Sequence, residues 1–81
     1  MNTCTDLPPG EAVLAHCIIF ENKSFSLSVA RHEHDGTLSI TPFNHEVHTT
    51  VFVNGTVSII QKKSGGYCFT RLKPCDKAEL R

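Results

Sequence analysis

Apolar and polar positions alternate with a period of two along much of this chain, and the interruptions fall at glycine, proline and asparagine. That period belongs to strands whose successive side chains point to opposite faces. The clearest case is Ser24-Phe25-Ser26-Leu27-Ser28-Val29, which predicts Phe25, Leu27 and Val29 on one face and three serines on the other. His34-Asp35-Gly36 then reads as a turn, and Thr37 to Thr41 alternates again with Leu38 and Ile40 inward, so these two strands should form a hairpin. Ahead of them, Ala12 to Phe20 is an almost continuous apolar run ended by the turn Glu21-Asn22-Lys23. Its length and β-branched end suggest a buried strand, although a short helix starting at Glu11 fits the same residues. Leu7-Pro8-Pro9-Gly10 reads as a lead-in turn, because the prolines lack a backbone donor.

The second half is organised around Thr49 to Gln61, where two β-branched runs flank Asn54-Gly55. Asn-Gly is the strongest short hairpin signal, since a type I′ turn needs positive φ at both central residues. A hairpin there would pair Val53 with Thr56, Val51 with Ser58, Phe52 with Val57 and Thr50 with Ile59. One face would carry Phe52, Val57 and Ile59, and the other Val51, Val53 and Ile60, with neither face plainly meant for solvent. Lys62 to Gly66 supplies the next turn, Tyr67 to Leu72 a sixth strand, and Pro74 its end. The expectation is an all-β fold of about six short antiparallel strands in a meander, as a curled sheet or small barrel. One domain would span residues 1–81, with 1–10 and 76–81 flexible and a short terminal helix as an option at the end.

With 81 residues, 40% hydrophobic content and zero net charge, the chain has room for one modest core and lacks the basic excess of a typical nucleic-acid binder. The charge is nevertheless polarised: residues 1–60 hold two basic and six acidic side chains, net −4, and residues 61–81 hold six basic and two acidic, net +4. Such polarity suits steering of a charged partner or head-to-tail stacking of copies. No run approaches the ~18 apolar residues of a membrane span, and no basic segment leads into an apolar h-region. The expected location is therefore cytoplasmic. Against it stand the even cysteine count and two glycosylation sequons, Asn22-Lys23-Ser24 and Asn54-Gly55-Thr56.

Three constellations carry candidate chemistry. His32-x-His34, with His45 and His48, could gather imidazoles around a metal across a sheet. Cys4, Cys17, Cys68 and Cys75 contain no C-x-x-C; buried reduced thiols are the first expectation, and the alternative is that a closed sheet pairs Cys17 with Cys68 and Cys4 with Cys75. Lys62, Lys63, Tyr67, Phe69 and Arg71 place two aromatics on one strand face among cations, as base stacking beside phosphates requires. Over residues 62–71 the pattern resembles the aromatic strand of RNA-recognition and cold-shock domains.

No nucleophile elbow, P-loop or dinucleotide glycine pattern occurs, and Cys17 next to His16 would point to the opposite strand face. The leading expectation is thus a non-enzymatic binding protein without a cofactor, self-associating or acting on a protein partner as a regulator or inhibitor. Phage- and virus-type accessory proteins are of this kind. Its interface would involve one of the two faces formed by Val51, Phe52, Val53, Val57, Ile59 and Ile60. Single-stranded nucleic-acid binding and a histidine-held metal are the alternatives.

Overall fold

The computed structural model describes residues 4–43, 51–53 and 55–72, the side chains of 51–53 excepted. Seven strand segments follow one another: β1 (Thr5–Leu7), β2 (Ala12–Phe20), β3 (Lys23–His32), β4 (Leu38–Pro42), β5 (Val51–Val53), β6 (Thr56–Gln61) and β7 (Tyr67–Arg71). They form one sheet in the order β1-β7-β6-β2-β3-β4, with β5 also beside β2. Among the described residues there is no helix, so the fold is all-β and the apolar run at 12–20 is a strand.

The expected antiparallel meander is corrected by one feature. β5 and β6 both pair with β2 in parallel, Ala12 beside Val51 and Cys17 beside Thr56, so residues 51–53 and then 56–58 run along β2, with the ladder interrupted at Gly55. Val53 and Thr56 are therefore successive points of one line rather than partners across a turn. The sheet is mixed and does not close into a barrel. The physical reason lies in β2, itself apolar along most of its length. Laying a second apolar run beside it makes β2 and β6 interior strands, where continuous hydrophobic sequence belongs. Gly55 keeps the positive φ that Asn-Gly promised, +76°, but uses it within the line of the strand.

The two-residue turn of type I′ character lies elsewhere. Phe20 pairs with Lys23, and the two residues between them, Glu21 and Asn22, have φ of 54° and 64°. The expected β3–β4 hairpin forms, with Ala30 rather than Val29 opposite Ile40. At its turn the Asp35 carboxylate accepts from both the backbone N–H and the hydroxyl of Thr37. The lead-in expectation at residues 1–10 is also revised, because Thr5–Leu7 adds a strand to the free edge of β7 and buries Leu7.

The main core gathers Leu7, Val13, Ala15, Ile18, Ala30, Val57, Ile59 and Tyr67. Val13, Ile18 and Val57 are fully shielded from water, each worth about 1.5–3 kcal/mol of hydrophobic stabilisation. A smaller cluster, Ala12, Leu14 and Val29 with Phe43 against it, occupies the opposite face.

Along β2 the inward side chains change from Val13 and Ala15 to Ile18 and Phe20, a switch from odd to even numbers. Their β3 neighbours switch too, from Ala30 to Phe25. The register does not slip: Ala15 faces Ser28 and Cys17 faces Ser26, while His16 and Leu27 between them drop out of the ladder and are exposed. The β2 ladder to β5 and β6 breaks at the same level, around Gly55. A crease thus crosses three adjacent strands. It also explains why Phe25, Leu27 and Val29 do not share a face: Phe25 joins the main core, Val29 the smaller cluster, and Leu27 is exposed.

Candidate functional site

The sheet curls far enough that the last residue of β3 touches strands that are not its neighbours. His32 Nδ1 lies 2.6 Å from the Leu7 carbonyl of β1, and its ring meets Tyr67 of β7 edge to face, centroids 5.1 Å apart. A carbonyl only accepts, so Nδ1 carries the proton and donates. The ring is buried, with 4% of the residue exposed, yet Nε2 has no hydrogen-bond partner among the described residues. Around this clasp opens a groove of about 520 Å³, with Leu7 and Pro8 on one wall, the Lys62–Gly66 turn on the other, and His32 and Tyr67 between them. A hollow of this size at the mouth of a curled sheet is where small ligands are commonly held.

Each wall has a local cause. Lys62 N–H donates to the Gly66 carbonyl and Gly65 N–H to the Lys62 carbonyl, which closes the β6–β7 turn. Across the hollow, the Pro8 carbonyl accepts from Glu11 N–H. Lys62 Nζ then bridges the rim to Asp6 Oδ1 at 2.9 Å. The pair is solvent-exposed, so its own stabilisation is below about 1 kcal/mol, and its role is to place two opposite charges at the entrance.

The sequence-derived candidates are dispersed by the fold. His32 lines the groove, but His34 is exposed and packs over Gly10, while His45 and His48 lie outside the described residues. Among the described residues no group of three or more His, Cys, Asp and Glu side chains is placed to hold a metal. Tyr67 is buried against His32 and Phe20, and Phe69 packs on the main core, so both rings face inward, while Lys63 and Arg71 are exposed. Val57 and Ile59 belong to the core and Ile60 stands on the other face, 45% exposed; the side chains of Val51, Phe52 and Val53 are outside the description.

Cys4 is bonded to Cys68 and Cys17 is disulfide-bonded as well, which corrects both the expected buried thiols and the alternative pairing of Cys17 with Cys68 and Cys4 with Cys75. The cause is β1: Asp6 pairs with Cys68, which leaves Cys4 a Cα distance of 5.4 Å from Cys68. Cys75 lies outside the described residues. The Cys17 sulfur accepts a hydrogen bond from the Ser24 hydroxyl.

Asp6, Leu7 and Pro8 were not candidates from the sequence. The signal that could have found them is Pro8-Pro9-Gly10, a rigid bend just after a short alternating segment. Comparison with protein-family models, curated proteins and solved structures gives no match. Among the described residues no helix is long and apolar enough to cross a membrane.

Proposed function

We propose that this chain is a small non-enzymatic binding protein that works through a protein interface, and that a second copy of itself is its first partner. The observation that supports this is the exposure of Ile60 and Leu72, 45% and 44%; among the described residues Leu27 is the one other large apolar side chain so exposed. Pairing of Ile60 with Cys68 and of Ser58 with Thr70 puts all four on the outward face, and Leu72 continues the alternation of β7. Covering the remaining surface of Ile60 and Leu72 would contribute about 1 kcal/mol each, enough to bias association when many weaker contacts accompany it. The net −4 of residues 1–60 and +4 of residues 61–81 favour contact of unlike halves. Base stacking has less support, since Tyr67 and Phe69 turn inward.

The disulfides favour work in an oxidising compartment over the cytoplasm expected from the sequence. Sedimentation velocity of the oxidised protein tests the interface. The wild type should sediment as an oligomer, and I60D/L72D, altered only at exposed positions, should sediment as a folded monomer. A wild type that stays monomeric at high concentration would defeat the self-association reading.

A further inference from the structure

We propose that the groove between β1 and the β6–β7 turn binds a small neutral saccharide, with His32 Nε2, the open nitrogen of an otherwise buried ring, as its anchor. Two observations converge on a ligand site: a hollow of about 520 Å³, and a buried imidazole lining it whose second nitrogen has no partner among the described residues. Because Nδ1 already donates to the Leu7 carbonyl, any neutral form of the ring has its lone pair on Nε2, which is then an acceptor.

The class of ligand follows from what the remaining groups can accept. An anion would meet the Asp6 carboxylate and the Nε2 lone pair. A cation would meet the Lys62 ammonium, which stands 2.9 Å from that same carboxylate. An extended peptide needs a row of unused backbone groups on one strand edge, and the row is broken here: the carbonyls of Leu7, Pro8, Lys62 and Gly66 all accept bonds within the protein. What remains are separate side-chain heads of balanced charge, the acceptors Asp6 and His32 beside the donor Lys62 and the Tyr67 phenol, which does both. A sugar hydroxyl donates and accepts at once, and neighbouring hydroxyls can bridge a carboxylate and an ammonium together. Leu7 and Pro8 offer an apolar wall to the C–H face of the ring.

The test is a titration of the full-length, oxidised, 15N-labelled protein followed by backbone amide shifts. The probes are glucose, galactose, mannose, N-acetylglucosamine and their β1,4-linked disaccharides, with citrate, spermidine and an uncharged tetrapeptide as comparisons. The proposal expects a saturable shift of amides at His32 and through Lys62–Tyr67 with at least one saccharide. Lys62→Gln should weaken that binding about five- to tenfold, the loss of one hydrogen bond to a charged donor. His32→Asn keeps a donor for the Leu7 carbonyl and removes Nε2, so it should abolish the shifts; Tyr67→Phe, which preserves the ring packing, serves if the asparagine variant does not fold. The proposal is overturned by a panel in which no saccharide perturbs the groove, by response to citrate, spermidine or the peptide alone, or by saccharide affinity unchanged in folded Lys62→Gln and in folded His32→Asn or Tyr67→Phe. Because Ile60 and Leu72 lie outside the groove, the I60D/L72D protein should bind the saccharide as the wild type does, which separates this site from the interface.

Discussion

Asp35 is one side chain whose ionisation is tied to a defined local geometry. Its carboxyl is held below the ordinary value of 3.8, first by the Thr37 hydroxyl and then by the Thr37 backbone N–H. Both bonds favour the charged form. A carboxyl depressed in the folded state adds stability above its unfolded pKa and loses it as pH falls through the folded one. Thermal melts of wild type and Asp35→Asn should therefore differ slightly at neutral pH, with the wild type higher, and converge once the pH falls well below 3.8. The group is fully exposed, so the gap will be small. A gap that widened toward acid would show that the sign is wrong. His32 poses the contrasting problem of legibility. Its presence was plain in the sequence, but its meaning depends on Leu7, 25 residues away, and on Tyr67, which only the curl of the sheet supplies. Local pattern carries no information about which distant carbonyl will meet a ring nitrogen.

At the scale of elements, alternation and turn chemistry located most strands, because the period of two and the glycine-rich turns are local properties. Partner choice is not local. Asn54-Gly55 has the composition of a type I′ turn, yet the strands it would have joined lie end to end along β2. Glu21-Asn22 occupies the two-residue turn with both φ values positive, although glutamate is poorly suited to that region. The mismatch gives a direct test. Replacing both residues, E21N/N22G, should stabilise the protein by about 1 kcal/mol, read as a raised denaturation midpoint with an unchanged slope. A lowered midpoint would mean that the Glu21 side chain contributes more than its backbone costs. β1 escaped detection for a different reason. Three residues before two prolines are too short for periodicity to register, and their partner, β7, lies at the far end of the chain.

For the molecule as a whole, the short edge strand β1 is secured by its bridge from Cys4 to Cys68, a sequence separation of 64. Closing a loop of that length is worth about 4 kcal/mol in the chain-entropy model. In a chain this small that is a large share of total stability. C4S/C68S should lower the unfolding free energy by roughly that amount in denaturant titrations, and reductant should bring the wild type at least as low. If the serine variant matched the oxidised wild type, β1 would owe its place to Leu7 and the His32 clasp instead. The crease across β2, β3 and the line of β5 and β6 carries a consequence for how this sequence can change length. Each of these strands has its break at a shared level, and the exchange of faces is matched between β2 and β3. Removing a residue near His16, near Leu27 or at Gly55 alone would turn one strand's core side chains toward solvent while its neighbours stayed in phase. Three segments far apart in sequence are thereby bound to one common residue count, and insertions or deletions there are tolerated only when all three change together.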